Sequence, residues 1–95
     1  MSALFQPGRI LATPAALRAM QEAVAQPRDY LQRHLSGNWG VVNNEGRHAN
    51  DRAVREGKRI LSVYRLNDGT KIWITTEADR SATIILLPSE WGAER

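Results

Sequence analysis

Apolar positions follow two different rhythms along the chain. As far as Gly57 they recur at helical spacing, and beyond it they crowd into short runs divided by turn residues. The opening segment, Leu4–Leu11, is broken by Pro7-Gly8, so it predicts at most a short edge strand. Thr13-Pro14 is a helix start: the threonine caps, and proline at the first helical position gives up only an amide that has no partner. Leu17, Met20 and Val24 then fall on one helical face, with Arg18 and Glu22 paired on another, and the helix ends before Pro27. A second helix is predicted over Pro27–Ser36, with Leu31 and Leu35 as its stripe, Tyr30 and His34 beside them, and Gly37 as its left-handed stop. In the loop Gly37-Asn38-Trp39-Gly40, the tryptophan reads as a plug at the edge of a core, or alternatively as an exposed anchor for a partner.

Asn43-Asn44-Glu45-Gly46 forms a turn and cap for a third helix, roughly Arg47–Glu56, which stops at Gly57. Its expected apolar face is thin: Ala49, Ala53 and Val54. Three runs rich in β-branched, aromatic and aliphatic residues follow, Ile60–Leu66, Lys71–Thr76 and Thr83–Leu87, with Pro88 closing the last. Asn67-Asp68-Gly69 marks a hairpin between the first two. A two-residue turn would pair Tyr64 with Trp73. A three-residue loop would set Arg65 opposite Lys71. Because like charges repel across a ladder, the first register is the expectation. It places Leu61, Val63, Ile72 and Ile74 under the helices, and Ile60, Tyr64, Trp73 and Lys71 on the other side. The expected fold is therefore α+β in a single domain over residues 1–95. About three helices (residues 1–57) pack on one face of a small antiparallel meander of three strands (58–91), with room for a fourth.

Composition narrows the class. Of the 95 residues, 42% are hydrophobic and 24% charged, which rules out disorder or low complexity for the whole chain. No apolar run approaches the ~20 residues of a membrane-spanning helix, so no membrane partner is expected. MSALFQPGR has no basic start or apolar stretch of a signal peptide. The absence of cysteine excludes disulfides, thiolate metal sites and cysteine nucleophiles, and a cytoplasmic location is the expectation. No cofactor or metal is expected, since there is no Gly-rich phosphate loop, no nucleophile elbow and no ligand spacing around His34 or His48.

Lys and Arg total 13 against 10 Asp and Glu, a net charge of +3 that is unevenly spread. Residues 43–59 hold five basic and three acidic residues, a net of +2 in a short span. Arg47, Arg52, Arg55, Lys58 and Arg59 are accordingly the candidate partner-binding or nucleic-acid-binding residues. Tyr64 and Trp73 on a neighbouring sheet face would supply base stacking, while Glu45, Asp51 and Glu56 partly neutralise the patch. A second polar cluster, Glu77, Asp79 and Arg80 with Ser81, could bind a metal or do acid–base work, although turn chemistry alone accounts for each residue.

The stretches GRILATPAAL, RHLSGNWG, ANDRAVREGKRILSVYRL and DGTKIWITTEADRSATIILLP span residues 8–88. They resemble a family of short bacterial proteins carried on plasmids and integrated mobile elements, labelled "plasmid-related" and sometimes "type I restriction subunit M". The second label does not fit, since a methyltransferase needs a doubly wound cofactor domain and a Gly-rich loop that this chain lacks. Members of that family often have Asp at the position of Asn38 and Tyr at that of Trp91, so the resemblance implies only an aromatic at 91. The predicted order of elements also resembles RelE-like ribonuclease toxins, at the level of fold alone. The functional expectation is a non-enzymatic module that binds a macromolecule, protein or nucleic acid, through the 47–59 stretch and nearby aromatics. The alternatives are a RelE-like endoribonuclease toxin and a small inhibitor of a host defence system.

Overall fold

A computed structural model describes residues 3–91. In chain order they form β1 (Arg9–Ala12), α1 (Pro14–Glu22), α2 (Pro27–Leu35), α3 (Asn44–Glu56), β2 (Ile60–Arg65), β3 (Lys71–Thr76), β4 (Ala82–Leu86) and a 3-10 turn, Pro88–Glu90. The fold is α+β, as the sequence predicts, with three helices on a four-stranded sheet. The sheet is mixed rather than purely antiparallel. Its order is β1-β4-β3-β2, and the edge strand β1 runs parallel to β4.

Local signals set the helix ends. The Thr13 side chain accepts from the amide of Ala16, with Pro14 following at the first helical position. At the end of α1, Ala25 N–H donates to Met20 O and Val24 N–H to Gln21 O, a Schellman closure that needs a left-handed residue at Val24. Val24 supplies it at φ 55° with its side chain 85% exposed, an unusual conformation for a β-branched residue. α2 closes in the same way with Gly37 at φ 90°.

The hairpin adopts the register that the sequence argues against. Arg65 pairs with Lys71, Tyr64 with Ile72, Val63 with Trp73 and Ser62 with Ile74. The turn decides this. Gly69 N–H donates to Leu66 O, Leu66 N–H to Thr70 O, and Gly69 takes φ 90°, giving a three-residue loop closed by a left-handed glycine. The one-residue change of register turns β2 over. Ile60, Ser62 and Tyr64 now lie inward with Ile72 and Ile74, while Leu61 and Val63 lie outward with Trp73, the reverse of the expected assignment for β2. Arg65 and Lys71 are both exposed, so water screens the like-charged pair that the sequence reading weighed heavily.

All three helices cover the inward face. Ala16, Met20 and Ala23 of α1 pack with Tyr64, Leu66, Ile72, Ile74 and Ile85. Phe5, Trp39 and Ala53 enclose Ile60. Trp39 is thus the core plug of the two readings, 3% exposed, with its indole N–H donating to Asp51 Oδ1. α3 turns differently from expectation: Ala49 is exposed, and Asn50 is buried beside Ala53. Asn50 acts as a substitute strand. Its Nδ2 donates to Leu61 O and its Oδ1 accepts from Leu61 N–H. Val63 continues the pattern, with N–H to Trp39 O and its O accepting from Val41 N–H. The outer edge of β2 is therefore closed, and Gly40 is required there because a Cβ would run into the Val63 carbonyl.

Candidate functional site

The predicted basic residues lie on α3 and its exit. Arg47, Arg52 and Arg55 are exposed on the helix, and Lys58 and Arg59 follow Gly57. Two of the acids interleaved with them in sequence are engaged: Asp51 holds the Trp39 indole and Glu56 pairs with Lys58 at 3.4 Å, while Glu77, just after β3, pairs with Arg59 at 3.4 Å. Arg47 donates to Asn44 Oδ1, and Arg55 reaches back weakly to Asp51 O at 3.5 Å. Among the described residues, neither Arg52 nor Arg55 has a carboxylate within ion-pair distance. The α3 surface thus presents the Arg52 and Arg55 guanidinium groups to solvent outside any ion pair among the described residues.

The aromatic partners do not sit as expected. Tyr64 and Trp73 are on opposite faces of the sheet, so the stacking pair does not form. Tyr64 is 1% exposed, sealed under Arg33, whose Cζ lies 4.7 Å from the ring centre, and its hydroxyl donates to Asn38 O at 2.6 Å. Burial pushes that hydroxyl up to about 12, against smaller opposing effects of Ser62 and Arg33. No base can stack on Tyr64 in this fold. Trp73 does lie on the outer face, half-buried beside Trp91 with ring centres 5.5 Å apart.

The Glu77, Asp79 and Arg80 cluster is a clamp that joins elements. Arg80 takes a left-handed φ of 61° and aims its guanidinium at four carbonyls. Nη1 donates to Lys58 O at 2.7 Å, Glu77 O at 3.1 Å and Ala78 O at 3.3 Å, and Nη2 to Ala53 O at 2.9 Å. Ala53 O, at the end of α3, also accepts from Gly57 N–H and Lys58 N–H, so the cation adds to these donors and answers the helix dipole. Asp79 accepts from Ser81 N–H, and the Ser81 hydroxyl, helped by that amide, holds its carboxyl below the usual range. No group of three or more potential metal ligands occurs among the described residues. The turn chemistry considered for this segment is what the geometry displays, except that the ion pair of Glu77 is with Arg59 rather than Arg80.

Sequence reasoning missed a buried polar chain. His34, Ser62, Thr76 and Thr83 are all fully buried. His34 Nδ1 lies 2.6 Å from Ser62 Oγ and Nε2 lies 2.8 Å from Thr76 Oγ1, which is 2.7 Å from Thr83 Oγ1. Thr83 donates its proton to the Pro7 carbonyl, which can only accept. Thr83 therefore accepts from Thr76, Thr76 accepts from His34 Nε2–H, and Nδ1 is left to accept from the Ser62 hydroxyl. The direction of the chain assigns the neutral Nε2–H tautomer, and burial lowers the His34 pKa to about 4. A serine against a histidine nitrogen resembles an activated nucleophile, but the sheet and α2 seal it from any substrate, so its work here is structural. The sequence did hold the signal. Ser62, Thr76 and Thr83 occupy inward positions of their strands, visible once the register is known.

No protein-family model matches this chain, no curated protein matches it, and no solved structure matches its fold.

Proposed function

We propose that this protein is a non-enzymatic binding module, of the mobile-element kind its sequence resembles, and that its partner is a nucleic acid held by the basic surface of α3. The observation that carries the reading is the freedom of Arg52 and Arg55. Both stand on the solvent side of α3 without a carboxylate partner among the described residues, while Asp51 and Glu56, which flank them in sequence, serve Trp39 and Lys58. Such guanidinium groups bind phosphates, and each phosphate neutralised releases condensed counterions. Neither Arg80 nor His34, the groups an endoribonuclease reading would draw on first, is available to a substrate in this arrangement.

The test is binding of a generic DNA or RNA as salt is varied. Three contacts give a log–log slope of roughly −2 to −3, and replacing Arg52 and Arg55 together with alanine flattens it by about two. No binding at low salt, or a slope indifferent to the double substitution, overturns the reading and moves attention to a protein partner.

A further inference from the structure

Among the described residues no α-helix lies on the outer face of the sheet. Trp91, after the 3-10 turn, packs there against Trp73, and Thr75 and Leu86 are buried. The residues of the face form an ordered grid. Pairing places Val63, Trp73 and Leu86 in one row, and Leu61, Thr75, Ile84 and Leu11 in the next. At one end of these apolar rows stand Arg65 and Lys71, paired across β2 and β3. At the other end stand Arg9, which pairs with Ala82, and Arg59, whose Cζ lies 5.3 Å from the Trp91 ring centre. Among the described residues, Glu77 alone opposes these four cations on the face itself, and it is bound to Arg59. At the margins, Glu90 accepts from Thr13 and from Leu87 N–H, and Asp68 accepts from Thr70 N–H.

A duplex offers phosphates but hides the flat faces of its bases. A single strand offers both at once, and proteins hold it by setting an aromatic ring between basic groups. That is the order of this face: cations, a tryptophan within an apolar field, then cations. From Arg59 to Arg65 the extended chain covers about 20 Å at ~3.3 Å per residue, a reach suited to the smallest single-strand sites of about four nucleotides.

We propose that the outer sheet face binds unpaired bases of single-stranded nucleic acid. Trp73 is the stacking platform, and Arg9, Arg59, Arg65 and Lys71 meet phosphates at its two ends. The proposal rests on the nucleic-acid reading of α3 and deepens it, assigning selection of single strands to the sheet and general attraction to the helix.

The test titrates the full chain with a 20-mer oligo(dT), an oligo(U), a random-sequence duplex and a poly-glutamate peptide, following anisotropy of the labelled ligand. Single strands are expected to bind at least about 10-fold tighter than the duplex, and poly-glutamate far more weakly than either. Trp73→Ala is expected to weaken single-strand binding roughly 5- to 100-fold with little change in salt slope, and Trp73→Phe to restore most of it. Arg65→Glu with Lys71→Glu, at exposed positions that leave the core alone, is expected to abolish the preference for single strands even if Trp73→Ala fails to fold. Equal binding of duplex and single strand, unaltered by the Arg65 and Lys71 changes, overturns this proposal while the α3 reading stands. Loss of all nucleic-acid binding overturns both. Poly-glutamate bound as tightly as oligo(dT) overturns the stacking role in favour of an acidic protein partner.

Discussion

Acid should loosen this protein through a single buried side chain. His34 is neutral and fully enclosed, with a pKa of about 4 in the fold against 6.5 for an ordinary histidine. Protonation would put a second N–H against Ser62 Oγ and place a charge where no carboxylate answers it. The folded pKa lies below the unfolded one, so the unfolded chain binds the extra proton first. Stability is then complete above the unfolded value and is lost as pH falls from about 6.5 to about 4. The gap between the two values corresponds to about 3 kcal/mol, most of it gone by about pH 4.5. With a urea slope near ~1 kcal/mol/M for a chain of this size, the unfolding midpoint should drop by roughly 2–3 M between about pH 7.5 and pH 4.5. Asp68 and Asp79, held below the usual carboxylate range by bonds to Thr70 and Ser81, lose their contribution only at lower pH and leave this window clear. The assay is a pair of urea melts on the native chain and on His34→Gln, which removes the titrating ring. The variant should begin less stable and show little further loss over the same pH range. Equal midpoints for the native chain at both pH values would refute the argument, as would an undiminished pH dependence in His34→Gln.

Three further outcomes follow from the packing. Val24→Gly should raise stability by roughly 0.5–1 kcal/mol in a thermal melt, because the left-handed strain of about 1–2 kcal/mol is relieved and outweighs the added freedom of glycine in the unfolded chain. Arg80→Ala should destabilise by about 1–3 kcal/mol as the Lys58 carbonyl loses its guanidinium donor and the end of α3 loses its cation, yet leave the salt slope of nucleic-acid binding unchanged. Ile74→Ala, at the centre of the inward face, should cost roughly 2–4 kcal/mol by chemical denaturation.

What could be read from the sequence was local. Thr13-Pro14, Gly37 and Gly57 each act through their own backbone geometry, so the helix ends follow from the residues standing there. The hairpin failed on a question of magnitude. An exposed Arg65–Lys71 pair costs roughly a few tenths of a kcal/mol, too little to outweigh the three-residue loop that left-handed Gly69 closes. The parallel pairing of β1 with β4 joins residues about seventy positions apart and leaves no mark on a neighbouring stretch of sequence. Asn50 was hidden for a related reason. A polar residue on a polar helix looks solvated until the bare edge of β2 is known to lie against it. Of the candidate site, the free arginines of α3 and Trp73 sit where a partner can reach them, while Tyr64 and Arg80 were drawn into the architecture by contacts beyond the reach of composition or spacing.

That parallel edge also sets the order of events at the ribosome. β1 is made well before its sheet neighbour β4, and the hairpins β2–β3 and β3–β4 pair strands that are close in sequence. The nascent chain therefore carries β1 unpaired until translation has passed Leu86. Closure of the sheet waits on the synthesis of β4, and a ribosome stalled before residue 82 holds a chain whose meander is incomplete and whose first strand has nowhere to dock.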